Sequence, residues 1–69
     1  MKEYEIFLKK AIEQKNEHNS VNFIPLETND RMIVEKLESM QLINNVRYIG
    51  MTAVGFDLTY DGVHYFDEQ

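Results

Sequence analysis

The chain has 69 residues, with seven Lys and Arg against twelve Asp and Glu, a net charge of −5, no cysteine and no tryptophan. That length fits one small domain, residues 1–69, and a chain of this size buries only about 60% of its unfolded surface, so its core must be tight or shared with a partner subunit. Disulfides and cysteine-bound zinc are excluded, a hydrophobic share of 43% argues against wholesale disorder, and the negative charge argues against a strong non-specific grip on phosphate backbones.

No apolar run approaches the ~18 residues of a membrane span. Met1-Lys2-Glu3-Tyr4-Glu5 carries acids where a signal peptide would be apolar. A cytoplasmic protein with no membrane partner is expected.

In chain order, residues 2–17 read as an amphipathic helix. Tyr4, Phe7, Leu8, Ala11 and Ile12 recur at helical spacing and form one stripe, while Glu5, Lys9 and Glu13 are spaced by four on the solvent side. Ile6 projects almost opposite the stripe, either as a lone exposed apolar residue or as a contact for a partner chain. The pattern stops at Asn16-Glu17-His18-Asn19-Ser20, a turn-prone cluster. A short extended segment is predicted at 21–25, where Pro25 restricts it to an edge or ends it.

Thr28-Asn29-Asp30 offers caps for a second helix over 28–41, with Ile33, Leu37 and Met40 inward and Arg31, Glu35, Glu38 and Ser39 outward. Asn44-Asn45 reads as a turn. Residues 46–59 read as a hairpin linked by Gly50-Met51-Thr52, with Val54, Phe56 and Leu58 alternating onto one face and Gly55, Asp57 and Thr59 onto the other. Thr59 can cap a terminal helix over 60–66, and Asp67-Glu68-Gln69 is a polar tail expected to fray. The predicted core is Tyr4, Phe7, Leu8, Ala11, Ile12, Phe23, Ile33, Leu37, Met40, Ile43, Val54, Phe56, Leu58, Val63 and Phe66.

Two segments resemble parts of a known family. Leu37-Glu38-Ser39-Met40-Gln41-Leu42-Ile43 is similar to the L-x-x-x-G-L-I end of the recognition helix in winged helix-turn-helix proteins. Leu58-Thr59-Tyr60-Asp61-Gly62-Val63-His64-Tyr65-Phe66 resembles the L-T-x-x-G-x-x-Y-[FL] segment that follows the wing in many of them. Their order and spacing liken the whole chain to the small winged-helix proteins of bacteria and their phages and prophages. The resemblance implies an α+β, winged-helix-like fold, in the order helix, short strand, helix, β-hairpin and short C-terminal helix. It also implies a role in transcription control.

Two departures bear on that role. Gln41 stands where the pattern has glycine, so the turn after the helix adopts an unusual backbone at some cost. Only about ten residues separate the two long helices, too few for the further helix of a full helix-turn-helix; residues 21–27 can supply at most one abbreviated turn.

The outward face of the second helix would enter the major groove, and its cations are Arg31 and, at its margin, Lys36; the wing adds Arg47. Residues 1–34 hold five bases and six acids, whereas residues 35–69 hold two bases and six acids. The half that would meet DNA is therefore the more acidic one, and direct DNA contact is disfavoured except by a dimer that gathers Arg31, Lys36 and Arg47. The other reading is docking on a basic protein or self-association as a homodimer. Ile6, Tyr48, Met51, Tyr60 and Tyr65 are its candidate contacts, the last four lying in or near the wing, where they can equally pack on the sheet.

No catalytic constellation is visible. Ser20 and Ser39, the two serines, lack a nucleophile-elbow context, and the three glycines are dispersed rather than gathered in a phosphate loop. Asp61, His64, Asp67 and Glu68 have conceivable metal spacing, but solvated charge is the better account of them. No enzyme activity, cofactor, metal or small-molecule substrate is expected. A non-catalytic regulatory module acting through a protein partner or itself leads, followed by a dimeric DNA-binding regulator and then by a structural subunit of a larger assembly.

Overall fold

Tyr4, Phe7, Leu8, Ala11 and Ile12 line one side of helix α1 (Glu3–Gln14) in the computed structural model, which describes residues 1–67. Phe7, Leu8 and Ala11 are buried, and Tyr4 and Ile12 pack at the margin. The Lys2 backbone N–H donates to the Glu5 carboxylate at 2.9 Å and holds the first turn. The helix ends before residue 17, because Asn16 captures the chain. Its side-chain oxygen accepts from the N–H groups of His18 (2.8 Å) and Ser20 (3.1 Å), and its own N–H donates to the Ser20 carbonyl at 2.9 Å.

Strand β1 (Ser20–Pro25) forms where the sequence predicts a short extended segment at 21–25, and no helical turn forms over 21–27. It pairs antiparallel with β3 (Ala53–Leu58), and the register slips between Val21 and Ile24. Asn22 and Phe23 therefore stand together opposite Gly55, a bulge that turns Val21 and Ile24 inward and Phe23 outward. Phe23, expected in the core, is 57% exposed for this reason, and Val21 and Ile24 fill the place instead. The bulge needs Gly55, since a Cβ there would lie 2.8 Å from the Asn22 carbonyl oxygen.

Residues 26–29 lead straight into α2 (Asp30–Ser39). The helix starts two residues later than Thr28, with Asn29 in a left-handed conformation and the Asp30 carboxylate accepting from the Glu27 N–H at 2.8 Å. Val34 and Leu37 are buried and Ile33 partly so. Met40 was expected in the core but is 38% exposed, because the chain reverses directly after it. Gln41 adopts φ 61°, its N–H donates to the Glu38 carbonyl, and the Leu42 N–H donates to the Leu37 carbonyl, both at 3.0 Å. This is the Schellman arrangement that glycine normally closes, and it delivers Leu42 to the core.

Strand β2 (Ile43–Ile49) begins before residue 46, because Asn44-Asn45 is no turn. Asn45, at φ 52°, belongs to a second bulge, where β2 slips against β3 between Asn44 and Arg47. The hairpin link falls at 50–52 as expected, and the sheet order is β1-β3-β2, antiparallel throughout. Val54, Phe56 and Leu58 of the middle strand point into the core between sheet and helices, as their alternation predicts.

Helix α3 (Tyr60–Val63) is shorter than the expected 60–66. The Thr59 hydroxyl accepts from the Gly62 N–H at 3.0 Å, the cap read from the sequence, and donates to the Gln41 carbonyl at 2.7 Å. Gly62 presses on the Leu42 backbone so closely that a Cβ would lie 2.0 Å from its carbonyl oxygen. Val63 and Phe66 pack partly buried against the core; Glu68 and Gln69 lie outside the described residues. The fold is α+β, and its order and sheet topology are compatible with a winged-helix-like arrangement.

Candidate functional site

Each cation proposed to meet DNA has a partner within the chain. The Arg31 guanidinium, on the outward side of α2, lies 3.9 Å above the Tyr48 ring centre on β2. The Lys36 ammonium stands 4.8 Å from the Tyr4 ring centre on α1. Arg47 donates to the Asn45 carbonyl at 2.9 Å and lies 3.8 Å from the Asp57 carboxylate. Burial pushes the Tyr48 hydroxyl above its ordinary pKa; Arg31 opposes the shift, and the carboxylates of Glu35 and Glu38 add to it. The face of α2 that a groove-reading helix would present thus holds one stacked guanidinium among acids.

Of the candidate partner contacts, Tyr48 is partly buried beneath Arg31, and Tyr65 is built into the α1–α3 junction. The Tyr65 hydroxyl donates to Glu5 at 2.9 Å and meets the Tyr4 hydroxyl at 3.2 Å, with the two rings edge to face. Ile6 on α1 is 57% exposed, Met51 in the hairpin link 87% and Tyr60 at the start of α3 77%. These three sit on separate elements, and Tyr60 rests against the His64 ring, 4.3 Å between centres.

A grouped apolar surface lies elsewhere, on the side of the sheet turned away from the helices. The register aligns Pro25, Ala53 and Ile49 in one row across the three strands, and sets the Phe23 bulge beside Gly55 and Arg47 in the next. Phe23 and Ile49 stand out from this side, 57% and 48% exposed, with Met51 beyond them in the link; Ala53 is covered between its neighbours. The far end of the same side is polar and internally satisfied. There Asp57 accepts from Ser20 Oγ at 2.7 Å and Asn45 Nδ2 at 2.8 Å, and faces Arg47. The Asn45 amide, then the Ser20 hydroxyl, hold the Asp57 carboxyl below its ordinary pKa.

Sequence reading missed Phe23 and Ile49 as surface residues. Pro25 marked β1 as an edge, but nothing in the alternation of Val21-Asn22-Phe23-Ile24 announced the bulge that reverses Phe23.

Among the described residues no group of three or more His, Asp or Glu side chains is placed to hold a metal ion, and no helix is long and apolar enough to cross a membrane. His64 instead engages Asp67. Comparison of the chain with protein-family models, with curated proteins and with solved structures finds no match.

Proposed function

We propose that this chain is a non-catalytic regulatory module of winged-helix-like form, acting in the cytoplasm through contact with protein rather than by reading DNA. One observation carries the reading: Arg31, Lys36 and Arg47 are each engaged within the chain, while Phe23, Ile49 and Met51 stand out from the sheet. Freeing a cation for phosphate would forfeit its present contact, and the acids beside Arg31 would oppose the approach of a duplex. An apolar side of this kind, on a small surface, is what a protein interface uses. The resemblance of the 37–43 and 58–66 segments to phage and prophage regulators supports transcription control as the setting.

Titration of labelled duplex DNA with the purified chain at about 50 mM salt tests the reading, because backbone-driven binding is strongest at low salt. Absence of binding is expected. Tight, salt-sensitive binding that Arg31→Ala weakens would overturn it in favour of a dimeric DNA-binding regulator.

A further inference from the structure

We propose that the cleft between α1 and α2 is a binding site for a small amphipathic anion, an apolar body carrying one carboxylate. The cleft has a volume of about 470 Å³, within the range of roughly 300–1,000 Å³ that small-molecule sites occupy. It forms where the start of α1 meets α2, so residues far apart in sequence line it and no local pattern announces it. Its floor is apolar and held in place. Tyr4 and Ile33 pack against the core, and the Tyr4 hydroxyl meets that of Tyr65 at 3.2 Å with the rings edge to face, which orders the ring before any ligand arrives. Met32 stands at the lip, 68% exposed, and its unbranched thioether can fold over a ligand of irregular shape.

The charge around that floor selects the sign of the ligand. Lys2, at the N-cap of α1, and Lys36 on α2 border the cleft, with Glu3 as its one acid. Among the described residues neither lysine makes an ion pair, although acids outnumber bases by twelve to seven in the chain. Lys36 serves from where it stands: an ammonium has three N–H donors, and those turned away from the Tyr4 ring remain for a carboxylate. Other clefts carry the opposite sign. One of about 410 Å³ is bordered by Glu38 and Asp61 with no base, and one of about 440 Å³ by Glu13 and Asp67 against Lys9. A carboxylate is therefore drawn to the α1–α2 cleft and turned away from these.

Amide shifts of the intact, isotope-labelled chain, titrated with naphthaleneacetate in low-salt buffer near neutral pH, read both place and affinity. Shifts are expected at residues 2–5 and 29–36 and should saturate with a Kd of about 1 mM or tighter, as a ligand of that size allows. The neutral isostere naphthaleneacetamide should bind about fivefold more weakly, and the cation naphthylethylammonium more weakly still. Lys36→Met, which keeps an apolar cover over Tyr4, should cost the carboxylate about threefold in affinity and leave the amide unchanged. Lys9→Met should change neither. Equal binding of carboxylate and amide by the native chain, shifts centred outside the cleft, or no saturation by about 10 mM overturns the inference without recourse to a variant. A carboxylate indifferent to Lys36→Met overturns it as well.

Discussion

The Arg31 guanidinium lies 3.9 Å above the centre of the Tyr48 ring, so α2 and β2 are joined at the margin of the core by a cation resting on an aromatic face. The contact is partly desolvated and should couple the two residues by about 0.5–1 kcal/mol. A double-mutant cycle of Arg31→Ala and Tyr48→Leu, read from urea unfolding, checks it. Strict additivity would mean that the stacking adds nothing to stability.

Gln41 closes α2 at φ 61°, a conformation that costs a residue with a Cβ about 1 kcal/mol and glycine almost nothing. Gln41→Gly should therefore raise the melting temperature by roughly 4–8 °C, the shift such an energy produces in a domain of this size. Gln41→Val, β-branched at the same angle, should lower it.

The three glycines should rank in a definite order when changed to alanine. At Gly62 the new Cβ would lie 2.0 Å from the Leu42 carbonyl oxygen, and at Gly55 it would lie 2.8 Å from that of Asn22; in both cases the obstacle is backbone. Gly50→Ala meets nothing within 4 Å and carries only the cost of φ 60°, about 1 kcal/mol. Gly62→Ala should cost at least about 3 kcal/mol, enough to unfold much of a small domain, and Gly55→Ala an intermediate amount. Chemical denaturation of the three variants tests the order.

Stability should fall on both sides of neutrality. Glu5 is held below its ordinary pKa by the Lys2 backbone N–H and then by the Tyr65 hydroxyl, and Asp57 by Asn45 and then Ser20. Their contribution is complete above the unfolded value near pH 4–4.5 and is lost as pH drops through the lowered folded values. Tyr65 shifts upward, through its hydrogen bonds to Tyr4 and then Glu5, so its contribution is complete below about pH 10 and declines above it. Urea midpoints across the pH range check this. The double variant Glu5→Gln, Asp57→Asn should flatten the acid limb, and a wild-type midpoint constant from pH 5 to pH 2.5 would refute it.

Where local chemistry decided the conformation, the sequence was readable. Thr59 capping α3, the strained Gln41 turn and the alternation of Val54, Phe56 and Leu58 all follow from a few adjacent residues. What escaped depends on partners distant in sequence. Phe23 faces solvent because β1 slips against β3, and Asn45 bends a strand rather than turning the chain because β2 does the same. The DNA candidates were legible as charges, but their engagement by Tyr48, Tyr4 and Asp57 is a matter of tertiary geometry.

The two bulges have one further consequence. β1 and β2 are the borders of the sheet, and each is broken by its bulge, with Pro25 removing a donor from β1 as well. Neither border offers an unbroken template on which another chain could continue the hydrogen-bond ladder. Open-ended stacking into fibres is thereby obstructed in a small acidic protein that nonetheless exposes apolar side chains, and whatever assembly it enters should stop at a finite number of copies.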